Sequence, residues 1–304
     1  MQRKTVLLPG EVESTERYKY SEGLDAREPK NHTLFREAER YYKSAEMDAD
    51  GITEFSCMDR RTSSPKVNSY LERLSEATEY FQTESGFIMI PNLLTVNEQE
   101  RIVEDILKEY LKFPSNLNIY VPLGFNVFTT ETTVQYKKKE MTSKDILFKL
   151  RWITLGQSYN WTTKQYDENQ YEFPALISKI SQEVAQVFCQ WTDFRAEAGI
   201  VNRYGFKDSL TGHVDRSEEN MDAPLISLSI GRSAVFLIGE NRDVKPDAFI
   251  LNSGDVCIMS GKSRQYLHGV PKILTKVESP CFSDPTLNDF IKDSRINVNV
   301  RQIH

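Results

Sequence analysis

The C-terminal half of the chain alternates apolar and polar residues with the two-residue period of β-strands. Apolar or alternating runs occur at residues 225–230, 234–238, 248–251 and 256–259. The turn signal Ser253-Gly254-Asp255 separates the last two runs. Short strands at this spacing are typical of a sandwich or a barrel. We therefore predict strand from Phe194 to the C-terminus, arranged as a jelly roll.

Helical periodicity marks three other segments, at residues 34–45, 96–111 and 176–188. The second is preceded by Thr95 and Glu98, the spacing of a capping box. A short apolar strand is predicted at 86–91, closed by a proline. These helices flank the strands in the predicted fold.

The N-terminal region differs in composition from the rest. Residues 1–30 are polar and charged, which indicates a loosely ordered arm, and residues 59–69 read as a linker. The fold class predicted is α+β, with a double-stranded β-helix (jelly-roll) core, flanking helices and an N-terminal helical extension. The predicted division is 1–80 for the arm and extension and 81–304 for the main domain.

The last strand carries two arginines on one face. Strict alternation over residues 295–301 places Arg295, Asn297, Asn299 and Arg301 together. Two parallel guanidiniums repel each other unless an anion lies between them, and a dicarboxylate would serve because arginine grips carboxylates with two hydrogen bonds. The alternative is a solvent-exposed strand edge.

A candidate metal site centres on Gly212-His213-Val214-Asp215. On a strand, His213 and Asp215 share one face. His268 lies in a later strand-and-turn segment that could return to the same point. Two imidazoles and one carboxylate with open positions suit non-haem Fe(II) in an oxygen-activating enzyme. Taken alone, His-x-Asp is more often a solvated loop.

Composition and charge exclude several classes of protein. The 304 residues, 39% hydrophobic, allow one elaborated domain or two small ones. The net charge of −6 is unlike that of a module that holds nucleic acid by bulk electrostatics, so any such contact must be a local patch. No apolar run approaches a membrane span and no signal-peptide core is expected, so we expect no membrane partner. Four scattered cysteines without a C-x-x-C pair indicate a reducing compartment.

The region 113–172 combines cations with aromatic residues. Its basic run is Lys137, Lys138 and Lys139, and its aromatic residues include Trp152, Tyr159, Trp161 and Tyr166. Aromatics near cations could stack on an unpaired base. The alternatives are a solvated charged face and the core of a hairpin.

Several separated motifs together resemble one family. They are 194–204 (FRAEAGIVNRY), 212–217 (GHVDRS), 253–255 (SGD), 259–264 (MSGKSR), 268–271 (HGVP) and 295–301 (RINVNVR). The chain resembles the AlkB family of Fe(II) and 2-oxoglutarate dependent dioxygenases, and within it the homologue 1 branch. The resemblance runs strongly from about Gly86 to the C-terminus and more faintly over residues 34–44 and 51–56.

The resemblance implies a set of site residues. His213, Asp215 and His268 would be the iron ligands and the catalytic centre. The residues implied for binding 2-oxoglutarate are Asn202, Tyr204, Arg295, Asn297 and Arg301, with Arg301 facing the region between co-substrate and substrate. Asn299 departs from the pattern, because threonine is common there. Residues 113–172 would form the nucleotide-recognition region and 194–304 the jelly-roll core.

The resemblance further implies oxidative demethylation of methylated nucleobases in DNA or RNA, with Fe(II), O2 and 2-oxoglutarate consumed to give succinate, CO2 and formaldehyde. The base must be flipped out or single-stranded. At least one of the four aromatic residues would cover it, and Lys137 to Lys139, Arg216 and residues 262–264 would touch the nucleic acid. Two alternatives stay open: a dioxygenase acting on a protein side chain such as that of a histone, and a catalytically weak chromatin- or RNA-binding module. N6-methyladenine in DNA, N1-methyladenine in transfer RNA and oxidation of 5-methylcytosine are not distinguished. The oligomeric state is not predicted, and a nuclear location is preferred to the cytoplasm or the mitochondrion.

Overall fold

The computed structural model describes residues 33–44, 80–112, 115–119, 133–136, 139–275 and 279–304. The helices within these ranges are α1 (Leu34–Ser44), α2 (Val96–Glu109), α3 (Ser143–Leu147), α4 (Ala175–Cys189) and α5 (Pro285–Lys292), with a 3-10 helix at Gly261–Gln265. The predicted arm at 1–30 and the linker at 59–69 lie outside the described residues.

The strands are short and numerous. The first seven are β1 (Phe81–Gln82), β2 (Phe87–Ile90), β3 (Thr133–Tyr136), β4 (Lys139–Thr142), β5 (Trp152–Gly156), β6 (Tyr159–Asn160) and β7 (Gln165–Tyr166). The others are β8 (Ala198–Tyr204), β9 (Leu210–His213), β10 (Leu225–Gly231), β11 (Ala234–Gly239), β12 (Asp247–Leu251), β13 (Val256–Met259), β14 (Leu267–Ile273) and β15 (Arg295–Arg301).

Two antiparallel sheets form the body of the fold. The major sheet has seven strands in the order β1-β2-β13-β10-β15-β8-β5, and the minor sheet has four in the order β12-β11-β14-β9. Strands β3 and β4 form one separate hairpin, and β6 and β7 form another. Apolar side chains from both sheets, such as Met259 and Phe249, join one buried cluster. This arrangement of antiparallel sheets with flanking helices is consistent with the predicted jelly roll.

The major sheet is buried on both faces, as the alternating side chains of β15 show. Ile296, Val298 and Val300 belong to the cluster that includes apolar residues of α2, α4 and α5. The alternate residues face the opposite way, and Arg295 and Arg301 among them are only 1% and 3% exposed. The alternative of a solvent-exposed strand edge is therefore wrong.

The predicted helices follow from local sequence. The capping box of α2 is present: Glu98 N donates to Thr95 Oγ1 at 3.3 Å, and Thr95 N donates to Glu98 Oε2 at 2.9 Å. Helix α4 begins directly after Pro174. Helix α1 buries Phe35, Ala38 and Tyr42 in a cluster with residues of β11, β12 and β14. Among the described residues, no helix has the length and apolar character needed to span a bilayer.

The prediction of strand throughout 194–304 is wrong at α5 and at the 3-10 helix Gly261–Gln265. Asp284 is the N-cap of α5, and its Oδ1 accepts hydrogen bonds from Thr286 N at 2.8 Å and Leu287 N at 3.0 Å. Pro285 occupies the first turn, where its missing N–H costs nothing. These start signals override the strand pattern of the surrounding sequence.

Candidate metal centre

His213 and His268 lie opposite each other in the minor sheet. They are direct cross-strand partners on β9 and β14, and their ring centroids are 4.5 Å apart. Asp215 follows β9, with its Oδ1 3.7 Å from His213 Nε2 and its Oδ2 3.7 Å from His268 Nε2. One ligand atom from each residue falls within 4.8 Å of the others. The structure thus brings the three predicted metal ligands to one point.

Backbone carbonyls fix the orientation of both imidazoles. His213 Nδ1 lies 3.0 Å from Thr211 O, and His268 Nδ1 lies 3.2 Å from Tyr266 O. A carbonyl oxygen only accepts, so each Nδ1 carries a proton, and Nε2 is the ring nitrogen left to bind a metal ion. Burial lowers the pKa of His268 to about 4, with a further contribution from His213. The ring is therefore neutral at neutral pH, as a metal ligand must be.

Asp215 is held as a carboxylate by its surroundings. Burial by itself raises its pKa, but Arg301 and the two imidazoles outweigh burial and lower the pKa below the ordinary range. Arg301 Nη2 donates to Asp215 Oδ2 at 2.7 Å. Arg264 Nη1 donates to the Asp215 carbonyl at 2.7 Å, which fixes the backbone as well. Two imidazoles and one ionised carboxylate are the donor set that non-haem Fe(II) takes, so the residues present fit that ion.

Glu218 is a buried carboxylate that sequence reasoning missed. Its Oε2 accepts from Arg264 Nη2 at 2.9 Å, and Arg301 Nε lies 3.0 Å from its Oε1. Tyr166 Oη donates to Oε1 at 2.6 Å. Glu219, its exposed neighbour, has the same side chain, so nothing local in the sequence separates the two.

The protein itself supplies the anions next to Arg301. Asp215 and Glu218 both contact its guanidinium, so the predicted dicarboxylate between the two arginines of β15 is not what balances Arg301. Within the described part of the chain, Arg301 Nη1 is buried without a hydrogen-bond partner. Arg301 thus holds the carboxylate of the metal ligand Asp215 through Nη2, and the two N–H groups of its Nη1 have no partner among the described residues.

Arg295 is placed differently from Arg301. Its Nη2 donates to Ser229 Oγ at 3.0 Å and its Nη1 to Arg232 O at 3.2 Å. Among the described residues, no carboxylate lies within ion-pair distance of it, and its buried Nε has no partner. A buried guanidinium with an unused N–H is costly unless an anion joins it. This site fits the distal carboxylate of a bound keto diacid.

The other residues predicted to bind 2-oxoglutarate lie beside these arginines on β8 and β15. Tyr204 is the cross-strand partner of Arg295, and Asn202 is the partner of Asn297. Asn297 Nδ2 donates to Ser227 Oγ at 2.7 Å. Because cross-strand partners point to the same face, all four side chains face the space between the two sheets. Burial raises the pKa of Tyr204, so its phenol stays protonated.

The predicted aromatic residues form one cluster at the β6–β7 hairpin. The ring centroids of Trp152 and Trp161 are 5.2 Å apart, those of Tyr159 and Trp161 4.8 Å, and those of Tyr159 and Tyr166 5.0 Å. Trp161 is 45% exposed, whereas Tyr166 is half-buried. Tyr159 Oη lies 3.0 Å from Ser217 Oγ, so the hairpin is tied to the loop that follows Asp215.

The basic residues predicted to touch nucleic acid differ in their exposure. Lys139, Arg216 and Lys262 are exposed, and Lys137 and Lys138 lie outside the described residues. Arg264 is 2% exposed and bonded to Glu218 and Asp215, so its predicted phosphate contact is wrong. A buried guanidinium needs hydrogen-bond or ion-pair partners within the protein, and Glu218 and Asp215 are the partners of Arg264.

The chain matches known proteins over most of its length. The family model described as the 2OG-Fe(II) oxygenase superfamily matches residues 86–301. The human nucleic acid dioxygenase ALKBH1 is 36% identical over 72% of this chain and 64% of its own length. The tRNA demethylase abh1 of Schizosaccharomyces pombe is 35% identical over 73% of this chain and 80% of its own length. The DNA N(6)-methyladenine demethylase ALKBH1A of Arabidopsis thaliana is 29% identical over 72% of this chain and 75% of its own length.

The chain thus spans 64% of the human relative, and it spans 52% of the mouse nucleic acid dioxygenase ALKBH1. The solved structure of OsALKBH1 superposes with a TM-score of 0.54 at 22% identity, covering 74% of this chain and 100% of that one, which shows the shared fold. Members of the matched superfamily use Fe(II), 2-oxoglutarate and O2, and the His213, Asp215 and His268 cluster is of the type they require. The chain belongs to the 2OG-Fe(II) oxygenase superfamily, within its AlkB family and the homologue 1 branch.

Proposed function

We propose that this protein oxidatively demethylates methylated nucleobases in DNA or RNA. The observation that carries the proposal is the chain of contacts from the aromatic hairpin to the metal ligand. Tyr166 bonds Glu218, Glu218 contacts Arg301, and Arg301 bonds Asp215. A surface suited to a flat base is thereby built into the same network as the oxidising centre. The relatives whose names state a nucleic acid substrate support the same substrate class.

His213, Asp215 and His268 would hold the iron, and Arg295 would bind the distal carboxylate of 2-oxoglutarate. Asn202, Tyr204 and Asn297 line the same space and would contact the rest of the co-substrate. When bound, Fe(II) with 2-oxoglutarate and O2 supplies the oxidation of an N-methyl group to hydroxymethyl, which leaves as formaldehyde, with succinate and CO2 as the other products. The chain orients these reactants and shields them from water.

The substrate base has to leave its stack to reach a centre that lies between two sheets. Trp161 is the exposed member of the aromatic cluster and would stack on that base. Arg216 directly follows the metal ligand Asp215, and Lys139 is exposed on β4, so both can reach a phosphate backbone. Lys137 and Lys138 would extend this cationic contact.

Residues 81–304 would form the double-stranded β-helix domain, with the nucleotide-recognition region at about 113–172 and the jelly-roll core at about 194–304. Residues 1–80 would then be an N-terminal arm and helical extension. Its described helix, α1, packs on the minor sheet through Phe35, Ala38 and Tyr42, which supports an extension that belongs to the folded unit.

Side-by-side turnover on methylated oligonucleotides and methylated peptides tests the substrate class. We expect formaldehyde and succinate with single-stranded oligonucleotides carrying N1-methyladenine or N6-methyladenine and only background with the peptides. Turnover on peptides alone would instead indicate a protein-side-chain dioxygenase. Oligonucleotide binding without succinate release in the iron-loaded protein would indicate a binding module.

A further inference from the structure

Helix α1 reaches the strand that carries His213. The buried carboxylate of Glu39 accepts a hydrogen bond from Gly212 N at 2.6 Å, across 173 residues of sequence. Gly212 is the residue immediately before His213. A group outside the region that the family model matches, residues 86–301, therefore touches the backbone next to a metal ligand.

The Gly212 N–H needs this acceptor because the sheet is irregular there. His268 pairs with His213 and Val270 pairs with Leu210, so β9 has one more residue than β14 between the two pairs. Such a bulge leaves the extra residue outside the ladder and re-aims the neighbouring side chain. A buried N–H left without a partner destabilises the fold, and Glu39 accepts the hydrogen bond of this one.

The side chains of helix α1 pack tightly against the β9 bulge. A Cβ built at Gly212 would lie 2.5 Å from Phe35 Cε1, so the ring of Phe35 lies directly against this backbone. Phe35 N also donates to Arg242 O at 3.1 Å, which anchors the start of α1. On the outer side of Glu39, Arg36 Nη1 lies 3.0 Å from Glu39 Oε2. The carboxylate is thus held between its own helix and the bulge.

We propose that Glu39 is a positioning residue for the metal centre: it fixes the β9 bulge and so the direction of His213. This inference rests on the proposed role of His213, Asp215 and His268 in metal binding. Glu39 acts through the Gly212 backbone, one residue before His213. Its removal lets the bulge shift, so His213 spends less time aligned with Asp215 and His268.

The test measures Co(II) affinity and the visible absorption spectrum of the Co(II)-loaded full chain, without turnover. Glu39→Ala is expected to weaken Co(II) binding about 10-fold or more, in the range found when a group supporting a metal ligand is removed, and to change the absorption spectrum. Glu39→Gln keeps a weaker acceptor for Gly212 N and is expected to fall between wild type and Glu39→Ala.

Glu37→Ala and Glu37→Gln are the matched controls, since Glu37 lies on the same helix but is only partly buried. They should bind Co(II) as wild type does. If the Glu39 variants match the Glu37 variants in affinity and spectrum, the inference is overturned, even where the thermal midpoint falls. If Glu39→Ala does not fold, an unchanged affinity and spectrum in Glu39→Gln overturns it.

Two further proteins separate this inference from the proposed function. Wild type should bind Co(II) and Asp215→Ala should not. If Asp215→Ala binds as wild type does, the proposed metal site fails and the role of Glu39 with it. If Asp215→Ala loses binding while the Glu39 variants keep it, only the role of Glu39 fails.

Discussion

Arg301 Nη2 lies 2.7 Å from Asp215 Oδ2, so an arginine of the last strand supports a ligand of the candidate metal centre. The Nε atom of the same guanidinium lies 3.0 Å from Glu218 Oε1. Arg301 therefore contacts two carboxylates, Asp215 at the metal position and the buried Glu218 next to the aromatic hairpin, and Arg264 also pairs with Glu218. This relationship joins the oxidising centre to the surface proposed for the base.

Replacing Arg301 by methionine should strongly destabilise the fold. The substitution keeps much of the side-chain volume but leaves Asp215 without its arginine and the buried Glu218 with Arg264 alone. Breaking a buried pair by removing one partner costs about 3 to 5 kcal/mol. The free energy of unfolding in urea measures the loss. Arg216→Met is the control, because Arg216 is exposed and its replacement should cost less than about 0.5 kcal/mol. A change in Arg301→Met no larger than in the control would contradict the pairing.

Glu218→Gln should make the free energy of unfolding less dependent on pH in the acid range. Burial by itself raises the pKa of Glu218, but Arg301, Arg264 and the hydroxyl of Tyr166 outweigh burial and lower the pKa below its ordinary value. The unfolded chain then binds more protons than the folded one at pH values below about 4.3, so the ionised carboxylate stabilises the fold above that pH. This stabilisation is lost as the pH falls through the folded-state pKa.

Urea unfolding at a series of acidic pH values checks this prediction. The free energy of unfolding of wild type should fall more steeply with decreasing pH than that of Glu218→Gln. Glu219→Gln, at the exposed neighbouring position, should follow wild type. Equal slopes for wild type and Glu218→Gln would show that folding does not lower the pKa of Glu218.

Arg295→Lys should weaken the binding of 2-oxoglutarate. Lysine keeps the charge but loses the planar fork that matches a carboxylate. One lost charge-assisted hydrogen bond of about 1.5 to 3 kcal/mol corresponds to roughly 10- to 150-fold in Kd. Calorimetric titration of the Mn(II)-loaded protein gives this constant. Arg203→Lys is the control, since Arg203 is also buried on the major sheet but bonds Ser294 Oγ and Phe148 O instead. An unchanged Kd in Arg295→Lys would remove this residue from the co-substrate site.

Trp161→Ala should raise the Kd for a methylated single-stranded oligonucleotide without affecting the binding of 2-oxoglutarate. Stacking of a base on an aromatic ring contributes about 1 to 3 kcal/mol, which corresponds to roughly 5- to 150-fold in Kd. Fluorescence anisotropy with a labelled oligonucleotide measures it. Phe206→Ala is the control, because Phe206 is a second exposed aromatic residue and its ring contacts Arg232. Equal affinities of the two variants would show that Trp161 is not the stacking surface.

Local patterns predicted the elements whose causes are local. The capping box at Thr95 and Glu98 and the helix after Pro174 need only nearby residues, and both are present. Helix α5 also had local start signals in Asp284 and Pro285, but it is a short insertion between strands and the surrounding period hid it.

Contacts between distant segments could not be predicted in the same way. His213 and His268 could be paired because few residue types suit iron and the chain has only four histidines. Glu218 and Glu39 gave no such signal, since a carboxylate is common on a surface and their partners lie far away in sequence. The β9 bulge had one hint, because an isolated glycine in a strand, here Gly212, often marks a bulge.

The most direct measurement follows succinate and formaldehyde together while the Fe(II)-loaded protein acts on a methylated single-stranded oligonucleotide. The proposed function predicts that wild type releases the two in equal amounts and that Asp215→Ala, with an intact circular dichroism spectrum, releases neither. Succinate formed by wild type without formaldehyde, or formaldehyde formed equally by Asp215→Ala, would contradict demethylation at this centre.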